Sequence, residues 1–112
     1  MSKNTSSINF NVTVDENQVP EKITWNAEGS EKEQESESKA VMLTVWDQDE
    51  NNTLRIDLWT KEMMVDEMKK FTCQNIITMA DSFERATGEI VIANEIRLFG
   101  EELAVKLGVM KR

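Results

Sequence analysis

The densest run of chemistry-bearing side chains is Asp47-Gln48-Asp49-Glu50-Asn51, where carboxylate and amide oxygens recur at alternate positions. Oxygen donors at that spacing open the loops that hold calcium, which begin D-x-[DN]-x-[DN]. The remainder of such a loop is missing: Asn52 stands where a glycine makes the sharp turn, and Leu58 stands where a bidentate glutamate closes the shell. Strand-like sequence flanks the run on both sides in place of helices. It reads as the polar tip of a hairpin, with no metal expected.

Cys73 is the single thiol, and a nucleophilic cysteine needs a group that depresses its pKa. Lys69 and Lys70 are the only cations near it in sequence, and no oxyanion-hole motif accompanies them. A structural or half-exposed thiol on the first helix is the simpler reading. The chain contains no histidine, which removes the commonest general base, transition-metal ligand and pH switch. Carboxylate pairs could do acid–base work, but spacing in sequence does not pick one out from a solvated acidic surface. With four glycines and no G-x-x-x-x-G-K-[ST], G-x-G-x-x-G or G-x-S-x-G string, phosphate-cradling loops and the nucleophile elbow are excluded. The expectation is a protein that is not an enzyme, with no catalytic residues and no cofactor.

The elements around these residues follow from hydrophobic period. Ile8, Phe10, Val12 and Val14 alternate with Asn9, Asn11 and Thr13, and Ile23, Trp25 and Ala27 alternate with Lys22, Thr24 and Asn26. Setting Val14 opposite Glu21 pairs Val12 with Ile23, Phe10 with Trp25 and Ile8 with Ala27, so one face is apolar and the other polar. Pro20 sits at the edge of this hairpin, where a missing donor costs little. Residues 28–39, with five glutamates and two lysines, read as an acidic flexible loop inside the domain. Strands over about 40–47 and 53–60 form a second hairpin; pairing Val45 with Ile56 sets Leu43 against Leu58 on its inner face. Its outer face then pairs Met42 with Trp59, Thr44 with Asp57, and Trp46 with Arg55 in a cation–π contact.

Thr60 offers an N-cap to a helix whose apolar residues Met64, Met68, Phe71, Ile76, Met79, Phe83 and Ala86 recur at helical spacing. Asp66 and Glu67 suit its dipole, and Gly88 gives it a left-handed stop. A second helix over about 90–107 carries Ile92, Ile96, Leu103 and Leu107, with Gly100 allowing close approach. The expected fold is α+β in a single domain over residues 1–112. A four-stranded antiparallel sheet of two hairpins is followed by two helices packed on one face, a two-layer sandwich.

Composition bounds the partners. At 112 residues the chain can bury one modest core, and 39% apolar with 30% charged residues suits a globular protein. A net charge of −8 makes nucleic acid and anionic membrane surfaces poor partners. No apolar run approaches the roughly 20 residues that span a bilayer. The start M-S-K-N-T-S-S-I-N-F shows no secretory h-region, and a lone cysteine fits a reducing compartment, so the expected location is cytoplasmic.

The long strings L-T-V-W-D-Q-D-E-N-N-T-L-R-I-D-L-W-T-K-E-M-M-V-D-E-M-K-K-F and M-A-D-S-F-E-R-A-T-G-E carry a family likeness. Together with I-N-F-N-V-T-V-D-E-N-Q-V-P-E-K-I-T-W-N-A upstream and I-A-N-E-I-R-L-F downstream, they resemble the gliding-motility-associated protein GldC family of Bacteroidetes. The likeness covers nearly the whole chain outside the acidic loop and the two ends. Met64 departs from it, standing where the family has a proline at the start of the helix. The resemblance implies an accessory protein of the gliding apparatus linked to type IX secretion, with no assigned reaction and no catalytic residues to carry over.

Joined to that resemblance, the residues point to an adaptor or chaperone-like factor that binds gliding-machinery components. The expected four-strand, two-helix order is also similar to SecB-type export chaperones, by topology only. The proposed interaction face is Met42, Trp46, Arg55, Asp57 and Trp59, the outer side of the second hairpin, because burying the inner side points these residues outward. The alternative is a structural homo-oligomer, a homodimer through the same face with no separate partner site.

Overall fold

Alternation between apolar and polar residues dictates the first sheet. β1 (Ile8–Val14) pairs antiparallel with β2 (Pro20–Ala27), setting Ile8 opposite Ala27, Phe10 opposite Trp25 and Val12 opposite Ile23. The computed structural model describes residues 4–111. Met1–Lys3 and Arg112, which the expectation of one domain over 1–112 includes, lie outside the described residues. The rings of Phe10 and Trp25 stack across the strands with centroids 6.0 Å apart and planes at 14°. At the closed end the ladder departs from expectation: Val14 pairs with Pro20 and not Glu21, through a register shift between Thr13 and Val14. The turn explains the shift. Asp15 Oδ1 accepts from the N–H of Asn17 (2.8 Å) and of Val19 (3.0 Å), and Gln18 takes a left-handed φ of 63°.

The structure corrects the expected single four-stranded sheet. A third strand, β3 (Ser36–Ser38), forms inside the segment read as loop and pairs with β2, making a three-stranded sheet of order β1-β2-β3. β4 (Ala40–Asp47) and β5 (Asn52–Trp59) form a separate two-stranded sheet. Ser36 and Ser38 oppose Trp25 and Ile23, so small hydroxyl residues lie on the apolar face, while Glu37 lies on the other face and meets Lys22 at 3.4 Å. Flanked on both sides, Ile23 is fully buried. It is the centre of what core the strands possess.

The second hairpin keeps its expected faces but not its expected pairs. Val45 opposes Leu54, Leu43 opposes Ile56 and Val41 opposes Leu58, a slip of two residues from the predicted register. Asp47 is the cause. Its Oδ2 accepts from Glu50 N–H at 2.7 Å, its carbonyl accepts from Asn51 N–H at 2.9 Å, and Asn51 adopts a φ of 57°. The chain therefore reverses over four residues, and β5 starts at Asn52. A two-residue slip preserves the alternation of faces, which is why the outward set survives.

The described chain divides into two compact units in sequence, between Met63 and Met64. The second unit is a helical hairpin. Thr60 is not its cap: that residue is buried in the strand unit, donating its N–H to the Lys39 carbonyl at 2.8 Å. α1 (Val65–Thr87) begins instead after Met64, whose N–H donates to Glu67 Oε1 at 3.0 Å. Gly88, at φ 76°, ends α1 in the left-handed conformation as expected. α2 (Ile90–Lys106) returns antiparallel, and small or slender residues line the seam: Cys73 and Ala80 from α1, Ala93, Gly100 and Ala104 from α2, all buried. Arg97 closes it by reaching Asp81 and Glu84, both at 2.8 Å.

Candidate functional site

The register of β4 and β5 sets four rows on the outer face: Trp46 with Thr53, Thr44 with Arg55, Met42 with Asp57, and Ala40 with Trp59. All five sequence-predicted residues therefore lie on one side of one hairpin. The structure brings three of them together at its centre. Arg55 donates from Nε to Asp57 Oδ2 (3.1 Å) and from Nη2 to Asp57 Oδ1 (3.0 Å), a two-pronged contact between residues on the same side of one strand. That hydrogen bonding raises the Arg55 pKa above its already high ordinary value, and the two side chains offset each other's charge. Half-buried Met42 stands opposite Asp57.

The tryptophans are not brought together. Three two-residue steps along the ladder separate Trp46 from Trp59, which at ordinary strand rise is about 20 Å at the backbone. The expected pairs of Trp46 with Arg55 and Met42 with Trp59 are therefore replaced: Thr53 opposes Trp46, Ala40 opposes Trp59, and the guanidinium is engaged by Asp57. Trp46 is 66% exposed and Trp59 54%. The face is a strip with an aromatic at each end and a neutralised polar centre. It can anchor an apolar group at either end while the centre tolerates a polar segment.

Apolar exposure alone does not single out this strip. On the opposite side of the same hairpin Val45 and Ile56 are about half exposed, and Ile8 on β1 is more so. What distinguishes the outer strip is two indoles, each more than half exposed, on a paired scaffold. Sequence alternation found it because parity is independent of register.

A second feature escaped the sequence. A cavity of about 350 Å³ lies where the two sheets adjoin, lined by Glu21, Lys22, Ile23, Glu37, Ser38, Lys39, Thr60 and Glu62. Ser38 Oγ is buried there with no hydrogen-bond partner among the described residues. The lining mixes carboxylates and ammonium groups without a thiol or imidazole. No signal in the sequence foretells it, because it depends on β3. Cys73 is buried in the helical seam, consistent with a packing role for its side chain. Among the described residues no group of three or more cysteine, aspartate or glutamate side chains is placed to hold a metal ion, and no helix is long and apolar enough to cross a membrane.

The family model for gliding motility-associated GldC-like proteins matches residues 20–109. The chain belongs to the GldC-like family. That membership associates it with gliding motility. No curated protein and no solved structure matches the chain significantly. The GldC-like match takes in both strands of the tryptophan hairpin and both helices, and it begins after β1.

Proposed function

We propose that the chain is a non-enzymatic, protein-binding accessory factor of gliding motility, an adaptor or chaperone-like partner of a gliding or type IX secretion component, acting in the cytoplasm. The observation that carries this reading is the outward strip of β4 and β5: two exposed indoles about 20 Å apart around the Arg55–Asp57 pair. Tryptophan and arginine are the residue types that most often anchor protein interfaces, and depletion of net charge at the centre of the strip suits a desolvated contact. Two anchors at this spacing fit side chains about six residues apart on an extended partner segment.

The test is quantitative affinity capture from an extract of a gliding relative, with wild type and the double variant Trp46→Ala/Trp59→Ala compared at equal folded concentration. Loss of two large anchors weakens binding by at least tenfold each on the usual scale of interface tryptophans. The expected result is a gliding or secretion component held by wild type and released by the variant. Equal capture by both proteins removes the strip from the account. A smaller assembly for the variant than for wild type, with no difference in capture, assigns the same face to a homo-oligomer.

A further inference from the structure

The strand β1 ends the three-stranded sheet, and among the described residues no strand lies along its outer edge. The bond from Glu28 N–H to the Ser7 carbonyl (3.0 Å) fixes the phase of the ladder. Ser7, Asn9, Asn11 and Thr13 turn their backbone groups toward β2, so Ile8, Phe10 and Val12 turn theirs outward. All seven residues of β1 are exposed. Natural edges are usually guarded by shortness, charge or proline. The opposite edge of this sheet has such guards: β3 is three residues long and carries Glu37, after a run that also holds Glu31, Glu33 and Glu35. β1 has none. From Asn4 to Val14 there is no charged residue, in a chain with 34 charged residues (13 basic and 21 acidic) among 112.

We propose that this edge pairs antiparallel with β1 of a second copy of the chain, across a two-fold axis at Asn11. The occupant follows from pattern and charge. A two-fold at Asn11 sets Ile8 against Val14 of the copy and Phe10 against Val12, so every apolar residue meets an apolar residue on one face. Asn9 meets Thr13 and Asn11 meets its own equivalent on the other. The outward groups of Ile8, Phe10 and Val12 are in the phase this pairing requires. A copy carrying a net charge of −8 is repelled from the acidic segments and meets no charged side chain along Ile8–Val14. The tryptophan strip on β4 and β5 takes no part, so the dimer leaves that surface open.

The test uses the full chain. Light scattering across roughly 1–500 µM reads the mass, a range that spans the dissociation constants of ordinary transient dimers. The expected result is a monomer–dimer equilibrium, shifted to monomer by Val12→Pro. That proline removes an outward donor and no bond to β2, so circular dichroism stays unchanged. A second pair of variants does not depend on tolerating proline. Asn11→Cys sits at the axis, in a position where Cα atoms approach within about 4.5 Å, and forms a disulfide-linked dimer on mild oxidation. Asn9→Cys lies four residues out of register with its own equivalent and links far more slowly. Buried Cys73 stays reduced in both. A monomer at every concentration, or a dimer in which Asn11→Cys links no faster than Asn9→Cys, overturns the proposal. The second outcome would move the interface to another surface, such as the outer face of β4 and β5.

Discussion

Gly100 is the position where the helical hairpin is most sensitive to a single carbon atom. A Cβ built there lies 2.7 Å from Ile77 Cγ1 and 3.2 Å from Ile76 Cγ2. Ile77 Cγ1 is a stem atom of a β-branched side chain, which has little rotameric freedom inside a helix. Two effects oppose each other in Gly100→Ala. Alanine improves helix propensity by about 1 kcal/mol. Overpacking a closed seam costs about 1–3 kcal/mol. Packing wins, for a net loss of about 1 kcal/mol and a fall in Tm of roughly 3–6 °C for a domain of this size. The assay is thermal unfolding by circular dichroism on four proteins: wild type, Gly100→Ala, Ile77→Ala and the double variant. With Ile77 truncated the clash partner is gone, so Gly100→Ala then stabilises by up to about 1 kcal/mol, and the cycle returns a coupling of about 2 kcal/mol. A wild-type background in which Gly100→Ala raises Tm would refute the close approach of α1 and α2 at this seam.

Acid titration tests the first turn. Asp15 accepts from Lys61 Nζ at 2.6 Å and from the Val19 and Asn17 amides, and the Lys61 hydrogen bond first, then that of Val19, holds its pKa down at about 2 from 3.8. A carboxylate whose pKa is lower in the folded state contributes stability that is complete above about 4 and is lost as the pH falls toward 2. The Tm of wild type should therefore decline more steeply across that window than the Tm of Asp15→Asn; parallel slopes would show that the ion pair carries no folding linkage. At Gly88 a Cβ would meet nothing within 4 Å, yet φ is 76°. Gly88→Ala should cost about 1 kcal/mol through backbone conformation alone, measured by urea denaturation, and a neutral result would mean that α1 does not end in the left-handed state.

How far the sequence discloses the fold depends on which interaction sets each feature. The β1–β2 register is readable because loop length and apolar alternation on both strands agree on one pairing, and Phe10 against Trp25 follows directly. The shift at Thr13 and Val14 is not readable, since it arises from Asp15 collecting two amides. The same physics hides the β4–β5 register: alternation fixes the faces, but the Asp47 carboxylate and Asn51's left-handed backbone decide how many residues the turn spends. Ser36–Ser38 carries no hydrophobic signal at all and becomes a strand only because β2 offers it an edge. Thr60 looks like a cap by residue type. The helix instead starts four residues later, where Glu67 satisfies the Met64 amide with no polar side chain at the cap itself. For the candidate site, membership of the face was legible and the separation of its two indoles was not, because distance along a hairpin needs the register.

The central claim is that the outer strip of β4 and β5 meets a protein of the gliding or secretion apparatus. Photo-crosslinking in living cells of a gliding relative tests it most directly, with a light-activated amino acid placed at position 59 and, as a control, at exposed Glu101 on α2. The account predicts a discrete adduct from position 59 containing a component of that apparatus, abolished by Trp46→Ala, and no such adduct from position 101. Adducts that are the same from both positions, or an adduct from position 59 that contains only a second copy of this chain, would contradict it.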